Sequence, residues 1–383
     1  MGVWPPTVLQ VTPRLNSGGV ERGALEIAEA ITAAGGRALI ASEGGRLEPR
    51  LAEVGAELVR LPVASKNPLE IQRNVGRLAE AIRAQGVDLI HARSRAPAWS
   101  ALGAARRTAT PFVTTYHGVY NEGAPGKRFY NSVMARGDRV IAISEMIADL
   151  IWARHGVGMD RVRVIHRGAD TRLFSADAVA PERVATLRAA WGLIEETRPI
   201  VLLPGRLTRW KGQTVFLEAL AILRRRGGPA ALALLVGGDE GDGAFHNELA
   251  AQIERLELGA EARLVGACED MPAAYRLGDL AVSASTDPEA FGRVAVEAQA
   301  MGLPVIATAH GGALETVAAG ETGWLVAPRS PEALAEALAE ALGMAAEGRW
   351  AMSEAAVARA RERFSVAAMQ SSTLAVYREL LEG

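Results

Sequence analysis

The 383-residue chain holds one cysteine, Cys268, and six histidines. One thiol cannot build an intrachain disulfide framework, and no Cys/His cluster with metal-ligand spacing forms around it. Such usage fits a reducing, cytoplasmic compartment. H-E-x-x-H is missing, and so is D-x-D; the nearest pattern is Asp239 and Asp242 in "GGDEGDG". Neither G-x-G-x-x-G nor the P-loop pattern occurs, which weakens a dinucleotide-dehydrogenase or ATPase reading. A net charge of −2 gives no global electrostatic case for nucleic acid. No apolar run approaches the roughly 18–20 residues that a membrane helix needs. The start, "MGVWPPTVLQV", lacks basic residues and has only a short apolar run, so it does not read as a signal peptide. Any membrane contact is therefore expected at the surface, at the inner face of the cytoplasmic membrane.

What is present is a composition of 49% hydrophobic and 22% charged residues, enough for two sizeable cores. Short apolar runs alternate with amphipathic stretches. "TVLQV", "ALIAS", "ELVRLPV", "DLIHA", "FVTTYH", "RVIAIS" and "VRVIHRG" form one series. "IVLLPG", "ALALLVGG", "ARLVGA", "LAVSAS", "VIATAHG" and "GWLVAP" form a second. Unbroken apolar strands separated by helices indicate parallel sheets covered on both faces. The fold class is α/β, with two Rossmann-like, doubly wound domains. The expected boundaries are residues 1–175, a linker and lead-in helix at 176–199, a second domain at 200–362, and a C-terminal helix at 363–383 that packs back towards the first domain.

In open α/β sheets, ligands bind outside the carboxyl ends of the strands. The unusual residues cluster there in both halves: Gly18 and Gly19, His91, His117 and Gly118, Gly205 and Arg206, Gly237 and Gly238, Asp287 to Gly292, and Gly311 and Gly312. Seven loops agreeing across two domains predict one cleft between two facing sheets. In "NSGGVERGALEIAEAI" the glycines let backbone approach a ligand, and the helix start favours an anion; a plain tight turn fits equally well. In "PGRLTRWKGQTVFLEAL", Arg206 and Lys211 precede a helix and suit a diphosphate, Arg as a fork and Lys as a point charge. A solvated basic loop is the competing reading, against which the apolar Trp210 argues. His117 differs from an ordinary surface or core histidine because it ends an apolar strand and precedes a glycine.

"STDPEAFGRVAVEAQAMGLPVIA" places Glu289 and Glu297 eight positions apart. Glycosidase carboxyls sit about 5–5.5 Å apart when retaining and about 6.5–9.5 Å when inverting. Eight helical residues span roughly 12 Å, too far to share one glycosidic bond. The better reading puts Glu289 in a loop fixed by Pro288, starts a helix near Gly292, and places Glu297 in its second turn. Both glutamates then grip one long ligand, such as a nucleotide sugar. The amides of Phe291, Gly292, Arg293 and Val294 face its phosphates from the helix start.

These residues resemble family 4 of the GT-B glycosyltransferases. "PEAFGRVAVEAQAMGLPVIA" followed by "GGALETV" is similar to that family's donor-site signature, and "PGRLTRWKG" to its Arg and Lys segment. "GGVER", "TTYHG", "VIAISEMIADLI" and "VIHRGADTRLF" are similar to its acceptor-domain landmarks, so the likeness runs from about Val8 to Arg363. "HARSRAPAWSALGAARRTATPFVTTYHG" further resembles bacterial enzymes of lipopolysaccharide or envelope glycan assembly. The resemblance implies a retaining, metal-independent transferase with no cofactor. It implies Arg206 and Lys211 on the donor diphosphate and Glu297 on the ribose. It implies Glu289 on the donor sugar, aided by the amides of Ala290, Phe291 and Gly292. His117 lies beside the sugar on the acceptor side, and Gly18 and Gly19 line that side and approach the phosphates. Arg293 stands where the family often has an apolar residue and receives no role of its own.

The implied reaction moves a sugar from a nucleoside diphosphate to a hydroxyl of a glycan or lipid-linked acceptor, with the base, uracil or guanine, left open. A nucleotide-sugar 2-epimerase of the same architecture and a non-catalytic sugar-nucleotide binding protein are the competing readings. Interconversion without an acceptor marks the first; binding without turnover marks the second. Lys127, Arg128, Arg136 and Arg139, with Phe129 and Tyr130, form a basic-aromatic patch. It suits anionic lipid headgroups as well as it suits a solvated helix face.

Overall fold

Every one of the thirteen apolar runs forms a strand in the computed structural model, which describes residues 4–16, 18–239, 241 and 243–383. Ser17 of the first glycine loop and Asp242 of the aspartate pair lie outside the described residues. The first sheet contains β1 (Thr7–Val11), β2 (Arg37–Ser42), β3 (Ala56–Arg60), β4 (Leu89–Ala92), β5 (Phe112–Tyr116), β6 (Arg139–Ala142) and β7 (Val162–Val164). The second contains β8 (Ile200–Pro204), β9 (Leu232–Val236), β10 (Ala262–Gly266), β11 (Leu280–Ser283), β12 (Val305–Thr308) and β13 (Gly323–Val326).

All pairings are parallel. The strand orders are β3-β2-β1-β4-β5-β6-β7 and β10-β9-β8-β11-β12-β13. Each sheet is therefore doubly wound, and its winding reverses between β1 and β4 or between β8 and β11. Those switch points are where this topology leaves a crevice at the strand carboxyl ends. Helices cover the sheets, so the central strands β5, β8 and β9 are buried along their whole lengths. This is why those segments read as continuous apolar runs and not as alternating ones.

The chain divides into two compact units. The first runs to His166 and also contains Ala367–Gly383; the second is Arg167–Val366. The division thus falls ahead of the expected position at 175. Residues 167–175 and the stretch expected to be a linker belong to the second unit. In that stretch the helix Pro181–Ala190 starts with a proline, whose missing N–H costs nothing at a first helical position. Arg183 fastens it with a bidentate pair to Asp270, at 2.8 and 2.5 Å.

The last helix, Val366–Leu381, is tied into the first unit by polar contacts. Gln370 Nε2 donates to the Glu26 carbonyl at 2.7 Å, and Glu379 pairs with Arg139 at 2.8 Å. Tyr377, fully buried, places its hydroxyl 2.6 Å from His91 Nδ1, while His91 Nε2 lies 2.7 Å from Thr115 Oγ1. His91 is therefore a strand residue inside β4 with both ring nitrogens satisfied, which corrects the expectation that it belongs to the ligand-facing loops. Among the described residues no helix is long and apolar enough to cross a membrane.

Candidate active site

In the second unit, the loop after β11 carries Glu289 and the loop after β8 carries Arg206 and Lys211. Adjacent parallel strands β8 and β11 bring these loops side by side at the switch point. Lys211 Nζ donates to Glu289 Oε1 at 2.8 Å, although 78 residues separate them. The two side chains are only 14% and 15% exposed, so neither charge is well hydrated and each depends on the other. Ser285 Oγ also donates to Oε1. Among the described residues nothing donates to Oε2, which leaves that oxygen available to a hydroxyl. Lys211 further lies 4.5 Å from the centre of the Trp210 ring, a cation–π contact that steadies the ammonium. Arg206 is exposed just beyond β8, and its carbonyl accepts from Gln213 Nε2 at 2.9 Å.

The main chain of Glu289 is gripped from the loop after β12. Gly312 N donates to its carbonyl at 2.8 Å. Gly311, at φ +59°, approaches so closely that an added Cβ would lie 2.4 Å from the same oxygen. The glycine pair seen in the sequence is thus a requirement for backbone contact between two loops.

Gly292, at φ +84°, turns the chain into the helix Arg293–Ala300 and has no side-chain cap. The first amides of that helix accordingly remain an anion-favouring end. Glu297 sits in the second turn and is buried. Arg293 Nη2 holds its Oε1 at 2.6 Å, and the Tyr275 hydroxyl reaches its Oε2 at 3.3 Å. Burial, reinforced by the neighbouring Glu297 charge, pushes the Tyr275 phenol far up, so it stays a donor. Phe291 is buried beneath the loop and Val294 is half-buried on the same first turn. Ala290 lies between Glu289 and Phe291, half-buried.

Gly205, at the end of β8, lies beside the Lys211 stem, where an added Cβ would be 3.6 Å from Cδ. In the second unit, then, Gly205, Lys211, Glu289, Gly292, Arg293 and Glu297 line two neighbouring loops and one helix start. Ser285 and Tyr275 complete their hydrogen bonding. Sequence reasoning passed over both, since a serine in a loop and a tyrosine in the distant helix Met271–Leu277 carry no spacing signal.

The first unit carries the remaining candidates. Gly18 precedes and Gly19 begins the helix Gly19–Ala33, directly after β1. His117 follows β5, half-buried, and its amide donates to the Tyr120 hydroxyl at 3.3 Å. Arg95 stacks 4.4 Å from the Tyr120 ring centre, and Arg154 Nη1 donates to the Tyr120 carbonyl at 2.7 Å. Neither arginine was anticipated beside His117.

The basic-aromatic patch is partly spent within the protein. Arg139 is paired with Glu379, and Arg128 Nη2 donates to the Arg154 carbonyl at 2.6 Å. Arg136 lies over Trp99 and Phe129 at 5.0 and 5.2 Å, leaving Phe129 64% exposed.

Known proteins place this arrangement. Residues 17–173 match the Glycosyltransferase Family 4 domain, and residues 188–360 match Glycosyl transferases group 1. A glycosyltransferase from Rickettsia africae superimposes with a TM-score of 0.90 at 36% identity, covering 99% of both chains. Anabaena HepE, solved in complex with UDP-glucose, gives 0.79 at 26% identity over 98% of this chain and 100% of that one. The D-inositol 3-phosphate glycosyltransferase 1 of Catenulispora acidiphila is 31% identical over 79% of this chain and 75% of its own length. Against further proteins of that name the match spans 52% and 42% of their lengths. Fold and family matches together define a GT-B glycosyltransferase. The chain belongs to the family 4, group 1 glycosyltransferases, and the epimerase and non-catalytic readings fall away.

Proposed function

We propose that the enzyme is a retaining, metal-independent transferase that takes a sugar from a nucleoside diphosphate, UDP before GDP, to a hydroxyl of a glycan or lipid-linked acceptor. The observation that carries this reading is the Lys211–Glu289 pair beside an uncapped helix start. A cation, a carboxylate and a row of amides are groups suited to a diphosphate and its sugar. Arg206, Lys211 and the amides at Phe291 to Val294 stabilise the charge that grows on the leaving diphosphate. Glu289, aided by the amides of Ala290, Phe291 and Gly292, binds sugar hydroxyls through Oε2, and Glu297 binds the ribose. His117, Gly18 and Gly19 serve the acceptor side.

Glu289 Oε1 already accepts two protons' worth of hydrogen bonding, from Lys211 and Ser285. In this reading Glu289 binds sugar hydroxyls and is not the nucleophile of a double displacement, so transfer is front-side. The bond from C1 to the diphosphate oxygen breaks as the bond to the acceptor oxygen forms, and the acceptor proton passes to the leaving phosphate. UDP-glucose in the HepE neighbour supports a uridine donor. Lipopolysaccharide or another envelope glycan is the proposed setting, with an anionic membrane surface met through Lys127, Arg136 and Phe129.

Thermal-shift measurements with UDP, GDP, UDP-glucose and GDP-mannose test the donor, because a ligand that binds only the native state raises its stability. No shift with any of them sinks the reading. Anomer analysis of a transfer product tests retention. Sedimentation with anionic liposomes, before and after Arg136→Glu, tests the surface.

A further inference from the structure

We propose that Ser285 is a positioning residue for the donor sugar, held in place by Thr308 and His310; the proposal rests on the donor-site reading above. Ser285 lies two residues beyond β11 and is 2% exposed. Its hydroxyl donates to Glu289 Oε1, the oxygen that also receives Lys211 Nζ. Its carbonyl is held twice from the end of β12: Thr308 Oγ1 and His310 Nε2 each lie 2.8 Å away. A carbonyl offers only acceptor sites, so His310 must carry its proton on Nε2. The serine is therefore fixed on both sides, its backbone by the β12 loop and its hydroxyl on the carboxylate.

The consequence lies in the orientation of Glu289. With both donors on Oε1, the carboxylate plane is set and Oε2 is left facing a ligand. Lys211 alone would not hold that setting once a donor binds, because its ammonium is then shared with the diphosphate. The Ser285 hydroxyl is buried and carries no charge to attract a diphosphate, so its hold on Oε1 is expected to survive binding. The Glu289 main chain is pinned separately by Gly312. Ser285 thus controls the side-chain torsion and leaves the loop position to others. A hydrogen bond to a charged group is worth enough that losing this one should weaken sugar recognition about tenfold.

Titration calorimetry of the full chain measures this, with UDP against UDP-glucose and GDP against GDP-mannose. The quantity read is the affinity gained from the sugar, in whichever pair the wild type favours. Ser285→Ala should lose about tenfold of that gain and keep its affinity for the bare diphosphate. Ser285→Thr, which retains the hydroxyl, should restore the gain. His310→Ala, at a partly exposed position, should lose severalfold with no change in fold, and covers the case in which Ser285→Ala does not fold. If Glu289→Ala abolishes the gain while Ser285→Ala and His310→Ala leave it intact, the positioning role is wrong and the donor site stands. Loss of diphosphate affinity in Ser285→Ala equal to the loss for the sugar nucleotide likewise overturns it. If neither pair shows a gain, or Glu289→Ala keeps it, the donor-site reading fails and this inference with it.

Discussion

Lys211 Nζ lies 2.8 Å from Glu289 Oε1, so the cation suited to a diphosphate and the carboxylate suited to its sugar form one ion pair. If Lys211 serves the proposed diphosphate site, incoming diphosphate competes with Glu289 for the ammonium. Glu289→Gln removes that competition while keeping the side chain's size. UDP should then bind as tightly as before or up to about fivefold more tightly, about 1 kcal/mol at most for a partly screened pair. The additional affinity of UDP-glucose should vanish. Calorimetry with the two ligands checks both signs, and a Gln variant that binds UDP at least tenfold more weakly contradicts the competition.

Glu297 is held just as firmly, by Arg293 four residues earlier and by Tyr275. Arg293 at 36% side-chain exposure is the more yielding partner. Arg293→Ala should leave the helix intact but let Glu297 swing, weakening the hold on ribose hydroxyls proposed for it. The expected loss is about three- to tenfold in affinity for UDP, the size of one charge-assisted hydrogen bond partly screened by solvent. Affinity for a 2′,3′-dideoxy analogue of UDP should not change. Equal losses for both nucleotides would remove Glu297 from the ribose.

The strands and the helix start after Gly292 were legible because they rest on local rules. Continuous apolar runs make doubly covered strands, and a glycine before a polar-apolar stretch makes a helix entry. The Lys211–Glu289 pair was not legible as a contact, since the two are 78 positions apart and only the β8–β11 adjacency joins them. Ser285 was invisible although it is only four residues from Glu289, because a loop serine carries no spacing signal, and Tyr275 reaches Glu297 from another helix, 22 residues away. His91 misled because its position beside a strand end looked like a loop; its partner Tyr377 comes from the last helix, 286 residues away. Arg293 looked like a departure from an apolar habit, and the structure turns it into the partner of Glu297.

Gly311 and Gly320 offer a matched pair of substitutions. Both have positive φ, +59° and +79°, but only Gly311 has backbone in the way of a side chain. Gly320→Ala should cost only the backbone term, about 1 kcal/mol. Gly311→Ala adds a Cβ 2.4 Å from the Glu289 carbonyl, which must move the Glu289 loop. Denaturant midpoints should show a larger loss for Gly311→Ala, about 2–3 kcal/mol. Transfer activity should fall at least tenfold in Gly311→Ala and stay near wild type in Gly320→Ala. Equal activities would mean the loop contact does not set the site.

The buried His91 gives the protein a pH-dependent stability of known sign. Burial, and secondarily the charge of Arg93 nearby, holds its pKa well below the usual histidine value. The folded protein therefore keeps the ring neutral between Tyr377 and Thr115, donating to one hydroxyl and accepting from the other. The unfolded chain takes up a proton below about pH 6.5, so its proton binding exceeds that of the folded state there. Stability from this group is fully present above that pH and is lost as the pH falls through it. Between pH 7.5 and 5.5 the loss amounts to about 1.4 kcal/mol. His91→Gln keeps a donor and an acceptor in place but cannot titrate. Denaturant unfolding at the two pH values should show the wild type losing about 1.4 kcal/mol more than this variant. Parallel pH curves for wild type and variant would show that His91 titrates alike in the folded and unfolded chain, and a wild type that gains stability on acidification relative to the variant would show that the Tyr377 contact holds an imidazolium.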